Sequence, residues 1–333
     1  MFKEVPVLRF MALTRVVRLL WSGYDVQNSM AEYFLEGDQT LENWSSIEES
    51  LKLKISNCLV LPKELRAVLS SLVKPVGGCI KDIIEHIYGD DYLPSHFMGR
   101  LSWTSLGIID LKKTAKAVLK DENLPITKRY EIACTYCLED KIQMLWSELP
   151  ETNKMDYLKE NGPIRTQPYF PIYWTYYMRA ELNSLEEGIR DENYAKMSCH
   201  YLGILIASFR DNQVAVEYFL GKLSAEEKEQ FFSLFFPCVE YPLIMNNYKP
   251  SNSYACDVIY FLLSQMNANQ RTSIFEKCGS HILNSFFVFP YGGMILEIGS
   301  VVQKYLTHDQ RKALERRHKE TIRYCVFRTL GNN

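Results

Sequence analysis

One arrangement of residues recurs along this 333-residue chain and commits much of it to helix. Leu223-Ser224-Ala225-Glu226-Glu227-Lys228 is followed by Phe231, Met266-Asn267-Ala268-Asn269-Gln270-Arg271 by Ile274, and Leu306-Thr307-His308-Asp309-Gln310-Arg311 by Leu314. Each begins with an apolar residue, then Ser, Asn or Thr, with Glu or Gln three places further on. The first turn of a helix leaves backbone N–H groups without partners. A small polar side chain can accept from one, while the Glu or Gln reaches back to the cap's own N–H. Three such pairs in one phase predict three helix starts. Apolar helical runs over 216–220 and 258–262 precede the first two, so the unit is helix, short turn, helix.

Two upstream segments fit more loosely, Leu61-Pro62 through Arg66 and Leu124-Pro125 through Arg129. There Pro stands in for the polar cap and is expected near the first helical position, where its missing N–H costs nothing. Ile80, Ile83, Ile84 and Ile87 form a helical stripe, and Tyr130, Ala133, Cys134, Cys137, Leu138 and Ile142 a second. No Asn-Gly or Asp-Gly separates two alternating runs, so strand signals are weak. The capped junctions lie about 40 residues apart, within the range of helical solenoids.

The run Arg129-Tyr130-Glu131-Ile132-Ala133-Cys134-Thr135-Tyr136-Cys137-Leu138-Glu139-Asp140, with Leu145-Trp146 after it, resembles divergent ankyrin-like or HEAT-like helical-repeat proteins. The chain lacks the ankyrin Thr-Pro-Leu-His signature. The resemblance implies a non-enzymatic scaffold whose surface binds protein partners, and it carries over no catalytic residue. The fold expected is all-α, stacked helical hairpins forming an irregular α-solenoid. Three regions are expected: helical residues 1–160 with degenerate repeats, a Pro-rich loop or crossing over 161–172, and repeats over 173–333 ending in a basic cap. A second Pro-containing interruption is expected from Pro237 through Pro242 to Pro250.

Composition narrows the function. An apolar fraction of 47% with 23% charged residues excludes wholesale disorder. A net charge of -2 lacks the basic footprint of a nucleic-acid protein. The nine cysteines are an odd number, mostly inside apolar runs, as in a reducing compartment. The cytoplasm is the expected location, with the nucleus as the alternative. The longest clean apolar run, around 201–209, is too short for a bilayer. The basic opening segment is read as a first helix, with Val7, Leu8, Met11, Val16, Leu19 and Leu20 on or near its packed face, in preference to a transit peptide.

Catalytic signatures are sparse. Cys134-x-x-Cys137 lies on an apolar helical stripe, whereas a redox pair needs an exposed first cysteine at a helix N-terminus. Cys199 and His200 are adjacent, which in a helix points their side chains about 100° apart. No phosphate loop, serine elbow or HExxH occurs. Gly77-Gly78 and Gly292-Gly293 read as turns. No catalytic residue, cofactor or metal ligand is expected. The partner-binding candidates are the aromatic residues Tyr169, Phe170, Tyr173, Trp174 and Tyr177, since aromatics dominate interface hot spots, although the block reads first as a packed helix sealing the junction between the two halves. The others are Arg316, Arg317 and Lys319 of the basic C-terminal stretch. That stretch, with a surplus of Lys and Arg, reads first as the polar face of a capping repeat and second as a contact for nucleic acid or membrane. The rival to a scaffold is a helical enzyme or small-ligand binder with a pocket near Tyr173, Trp174, Cys199 and His200.

Overall fold

The structure, a computed structural model, describes residues 8–35, 41–88, 93–94, 96–104, 107–158, 169–191, 197–238, 255–286, 302 and 305–317. Among the described residues the chain is all-α, and β pairing is limited to one isolated antiparallel bridge, Trp103 with Ile109. It divides into two compact units, Met1–Asp110 with Leu283–Asn333, and Leu111–Ile282. The stretch expected to separate two halves, 161–172, thus falls within the second unit's span. Its residues 161–168 lie outside the described residues.

The first unit holds α1 (Leu8–Trp21), α2 (Tyr24–Leu35), α3 (Leu41–Asn57), α4 (Lys63–Ile87) and the short α5 (Phe97–Arg100). α4 packs against both α1 and α3. The expected isoleucine stripe of α4 is buried throughout. The packed face of α1 differs from the expected one. Leu13, Val17 and Trp21 are buried, whereas Val16 and Leu19 stand out at 41% and 65% exposure. Trp21 sets this rotation: its indole N–H donates to the Val73 carbonyl at 3.1 Å and its ring stacks on Trp44 at 5.2 Å. Gly77 and Gly78 are not in a turn; both lie inside α4, and at Gly77 a Cβ would sit 2.2 Å from the Trp21 ring, so only glycine fits against it. Gly292 and Gly293 lie outside the described residues.

The second unit holds α6 (Leu111–Val118), α7 (Ile126–Thr135), α8 (Glu139–Glu148), α9 (Glu151–Asp156), α10 (Tyr169–Met178), α11 (Leu182–Asp191), α12 (Cys199–Phe209), α13 (Gln213–Lys222), α14 (Ala225–Cys238), α15 (Ala255–Gln265) and most of α16 (Ala268–Ser285). The last described helix, α17 (His308–Arg317), belongs to the first unit.

All three capping boxes form. Ser224 N–H donates to Glu227 at 2.9 Å while Glu227 N–H donates to the Ser224 hydroxyl at 3.2 Å. The Asn267–Gln270 pair closes at 2.8 and 2.9 Å, and the Thr307–Gln310 pair at 2.9 and 3.2 Å. The preceding Leu223, Met266 and Leu306 are buried. The base of the motif has a use in two cases. Arg271 donates to the Met266 carbonyl at 2.7 Å and Arg311 to the Leu306 carbonyl at 3.0 Å, satisfying acceptors just before the helix start. Pro62 and Pro125 occupy the cap position itself, one residue before the helix, with ψ of 147° and 144°. Leu149-Pro150 opens α9 in the same way and was not anticipated.

A different joint, unanticipated by pattern, connects α7 to α8, α10 to α11 and α12 to α13. At each, one non-glycine residue takes positive φ: Cys137 (48°), Ala180 (58°) and Asp211 (53°). The next residue's N–H reaches back over it, from Leu138 to Ala133, Glu181 to Tyr176 and Asn212 to Ala207, at 3.0, 2.9 and 2.9 Å. These are Schellman ends, which close a helix with backbone hydrogen bonds alone. The stripe from Tyr130 to Ile142 is therefore buried as expected, but it is carried by two helices rather than one. Register agrees between hairpins. Counting back equally from each joint, Tyr130, Tyr173 and Ile204 are all buried; counting forward, so are Ile142, Leu185 and Val216.

The first helices of these hairpins pack in sequence, α7 on α10 and α10 on α12. α10 and α12 are apolar on nearly every face, which is the composition of a buried helix. α10 begins at Tyr169, so residues 169–172 are helical rather than loop; Pro171 is tolerated in the first turn, where its N–H is not needed. α14 likewise runs through Pro237 to Cys238, and Pro242 and Pro250 lie outside the described residues. No described helix is long and apolar enough to cross a membrane.

Candidate functional site

Ser198 caps α12, its hydroxyl accepting from the Tyr201 N–H at 3.1 Å. The same hydroxyl donates to Glu227 at 2.6 Å, and Glu227 is also the companion residue of the Ser224 box. One carboxylate thus joins the starts of α12 and α14. Burial alone would raise Glu227, but hydrogen bonds from Ser198 and from the backbone and side chain of Ser224 hold it below the usual carboxylate range.

Directly inside this cap lie Cys199 and His200. Their sequence adjacency predicts divergence, yet Sγ and Nδ1 are 3.9 Å apart. In the first turn, where no preceding turn crowds them, the imidazole can fold toward the neighbouring thiol. Glu186 on α11 completes a group of three, its carboxylate accepting the Cys199 N–H at 3.3 Å, with all three possible ligand atoms within 4.8 Å of one another. Cys199 is fully buried, and Glu186 and His200 are half-buried. Burial pushes the Cys199 thiol up to about 12, with Glu186 adding to the shift. Burial also lowers His200, against the opposing fields of Glu186 and Glu227. Sequence reasoning noted Cys199 and His200 but missed Glu186, which reaches the site only through the pairing of α11 with α12.

The aromatic candidates occupy the interior. Tyr169, Phe170, Tyr173 and Trp174 are all buried; Tyr177, at 39% exposure, is the member of the set with free surface to offer a partner. Tyr169 donates to the Cys199 carbonyl, and Tyr173 meets the edge of His200 at 5.8 Å and the ring of Phe219 at 4.9 Å. This helix places Tyr173 beside the Cys199–His200 pair, as the ligand-binding rival expects. Of the basic candidates, Arg316 is exposed on α17; the side chain of Arg317 and all of Lys319 lie outside the described residues.

Cys134 and Cys137 are both buried, in keeping with packed hydrophobes. Burial raises both thiols far above the ordinary range. Polar pins join the hairpins nearby. The Tyr130 hydroxyl bonds the Thr175 hydroxyl at 3.1 Å, and Asn212 Nδ2 donates to the Thr135 carbonyl at 2.7 Å.

No protein family model, curated protein or solved structure matches the chain.

Proposed function

We propose that the chain is a protein–protein interaction scaffold of the helical-repeat type, its hairpins stacked in series as an irregular α-solenoid. The observation that carries this reading is that capping residues also link successive hairpins. Glu227 ties the start of α14 to Ser198 at the start of α12, and Gln270 at the start of α16 donates to Glu229 on α14. Two helix starts are thereby tied to the preceding hairpin, a nearest-neighbour arrangement typical of repeat arrays. The recurring Schellman joint and the serial packing of α7, α10 and α12 add support.

Repeat arrays work through extended surfaces, and large apolar side chains stand exposed at the turn after α3. Leu59 and Val60 are 85% and 92% exposed, and Leu53 is 61% exposed one turn before. Lone exposed apolar residues are ordinary, but a group of them is a candidate contact. Immobilised full-length chain is expected to retain specific proteins from cell extract, and the pair Leu59→Asp with Val60→Asp is expected to reduce retention while leaving the melting temperature unchanged. Failure to retain any protein above a bait-free control, together with turnover of small molecules, would remove the proposal. A second reading, small-ligand binding between α11 and α12, draws on the convergence of Glu186, Cys199 and His200.

A further inference from the structure

We infer that Glu186, Cys199 and His200 form a binding site for a borderline-soft divalent cation of the zinc class, clamping α11 to the start of α12. The donor set is one carboxylate oxygen, one sulfur and one imidazole nitrogen. Sulfur and imidazole together select zinc-class d-block ions over magnesium or calcium, which take oxygen ligands.

The geometry is near what such an ion needs. Bonds of about 2.3 Å to sulfur and about 2.0 Å to nitrogen at a tetrahedral angle place those donors about 3.5 Å apart. Cys199 Sγ and His200 Nδ1 stand at 3.9 Å, so closure takes a few tenths of an ångström. The third donor is inside the same 4.8 Å group.

The shell around the ligands holds them in place. Glu186 is tethered by the Cys199 N–H, the Cys199 carbonyl accepts from the Tyr169 hydroxyl, and Ser198 fixes the helix start through Tyr201 and Glu227. Supporting hydrogen bonds of this sort orient metal ligands. The N-terminus of α12 carries roughly half a positive charge, which opposes a cation. Coordination displaces the Cys199 thiol proton to water, and the carboxylate and the resulting thiolate together bring two negative charges, so attraction wins.

A nucleophilic cysteine is the competing use of these residues. Cys199 is fully buried, and the half-buried groups are the carboxylate and the imidazole, so a substrate carbonyl has no approach to the sulfur. A single cation is far smaller than such a substrate and can reach the three donors past the half-buried Glu186 and His200.

The test is cobalt(II) titration of the full-length chain after chelator treatment. One equivalent is expected to bind with a thiolate-to-cobalt charge-transfer band and the intense visible absorption of four-coordinate cobalt. Cys199→Ser should abolish the charge-transfer band. Glu186→Gln and His200→Gln should each weaken binding by about 100-fold or more, since even supporting residues are worth 10–100-fold. Cys58→Ser, at an exposed thiol, should change nothing. Absence of the band, its survival in Cys199→Ser, or unchanged affinity in both other variants would overturn the site. Should Cys199→Ser misfold, Glu186→Gln decides, with circular dichroism in chelator showing its helices intact.

Discussion

The capping boxes at Ser224, Asn267 and Thr307 and the joints at Cys137, Ala180 and Asp211 solve the same problem with different atoms. Each must turn the chain between helices without leaving backbone groups unpaired. The boxes do so with side chains: a hydroxyl or amide takes one N–H and a Glu or Gln takes another. The joints do so with the backbone, at residues that are not the usual glycine. Side-chain solutions leave a mark in the sequence, and backbone solutions leave almost none.

The two classes meet at Asn212, which follows the Asp211 joint and caps α13 through its own side chain, accepting from Ala215 N–H at 3.2 Å. The same amide serves the half-buried Thr135 carbonyl. Asn212→Ala removes a cap worth about 1 kcal/mol and orphans a half-buried acceptor, for which the lower part of the range, about 1–2 kcal/mol, applies. It is expected to be the most damaging of these changes, at about 2–3 kcal/mol in denaturant melts. Asn212→Ser keeps a capping oxygen and loses the donor to Thr135, so its smaller loss separates the two parts.

Removing a box is expected to cost less. Ser224→Ala and Thr307→Ala, both at exposed positions, should each lose about 1 kcal/mol, and equal losses would confirm that the boxes are energetically equivalent. The joints predict a gain in the other direction. Ala180 is exposed, so Ala180→Gly relieves a left-handed backbone without disturbing packing and should stabilise by about 0.5–1 kcal/mol. A loss there would mean that the strain at φ near 58° is smaller than the extra backbone entropy glycine gives up on folding.

The smallest expected effect concerns pH. Burial lowers His200 below its usual value of about 6.5, so at mildly acid pH the folded chain binds fewer protons than the unfolded chain. Stability therefore falls as pH drops through the unfolded value. In the presence of chelator, His200→Gln should flatten that acid-side slope between roughly pH 7 and 5. An identical slope in the variant would show that His200 ionises as freely in the fold as in water.

Legibility follows the same division. The helix starts at 224, 267 and 307 were readable because their chemistry is local, within four residues. The Pro-led start at Glu151 carried the same signal as those at Lys63 and Ile126 and could have been found beside them. The division of the stripe from Tyr130 to Ile142 into two helices was not readable, since cysteine has no special liking for positive φ. The packed face of α1 is not legible locally, because Trp21 finds its partner in Val73, far along the chain.

Sequence alone determined that the chain is helical, where several helices begin, and that the cysteines of the Cys134–Cys137 pair are packing residues. Those properties depend on neighbours along the chain. Tertiary structure decided which neighbours the aromatic helix packs against, that adjacent Cys199 and His200 converge, and that Glu186 joins them. Their proximity is created by one helix packing on another, and no local pattern encodes the meeting of side chains that different helices bring together.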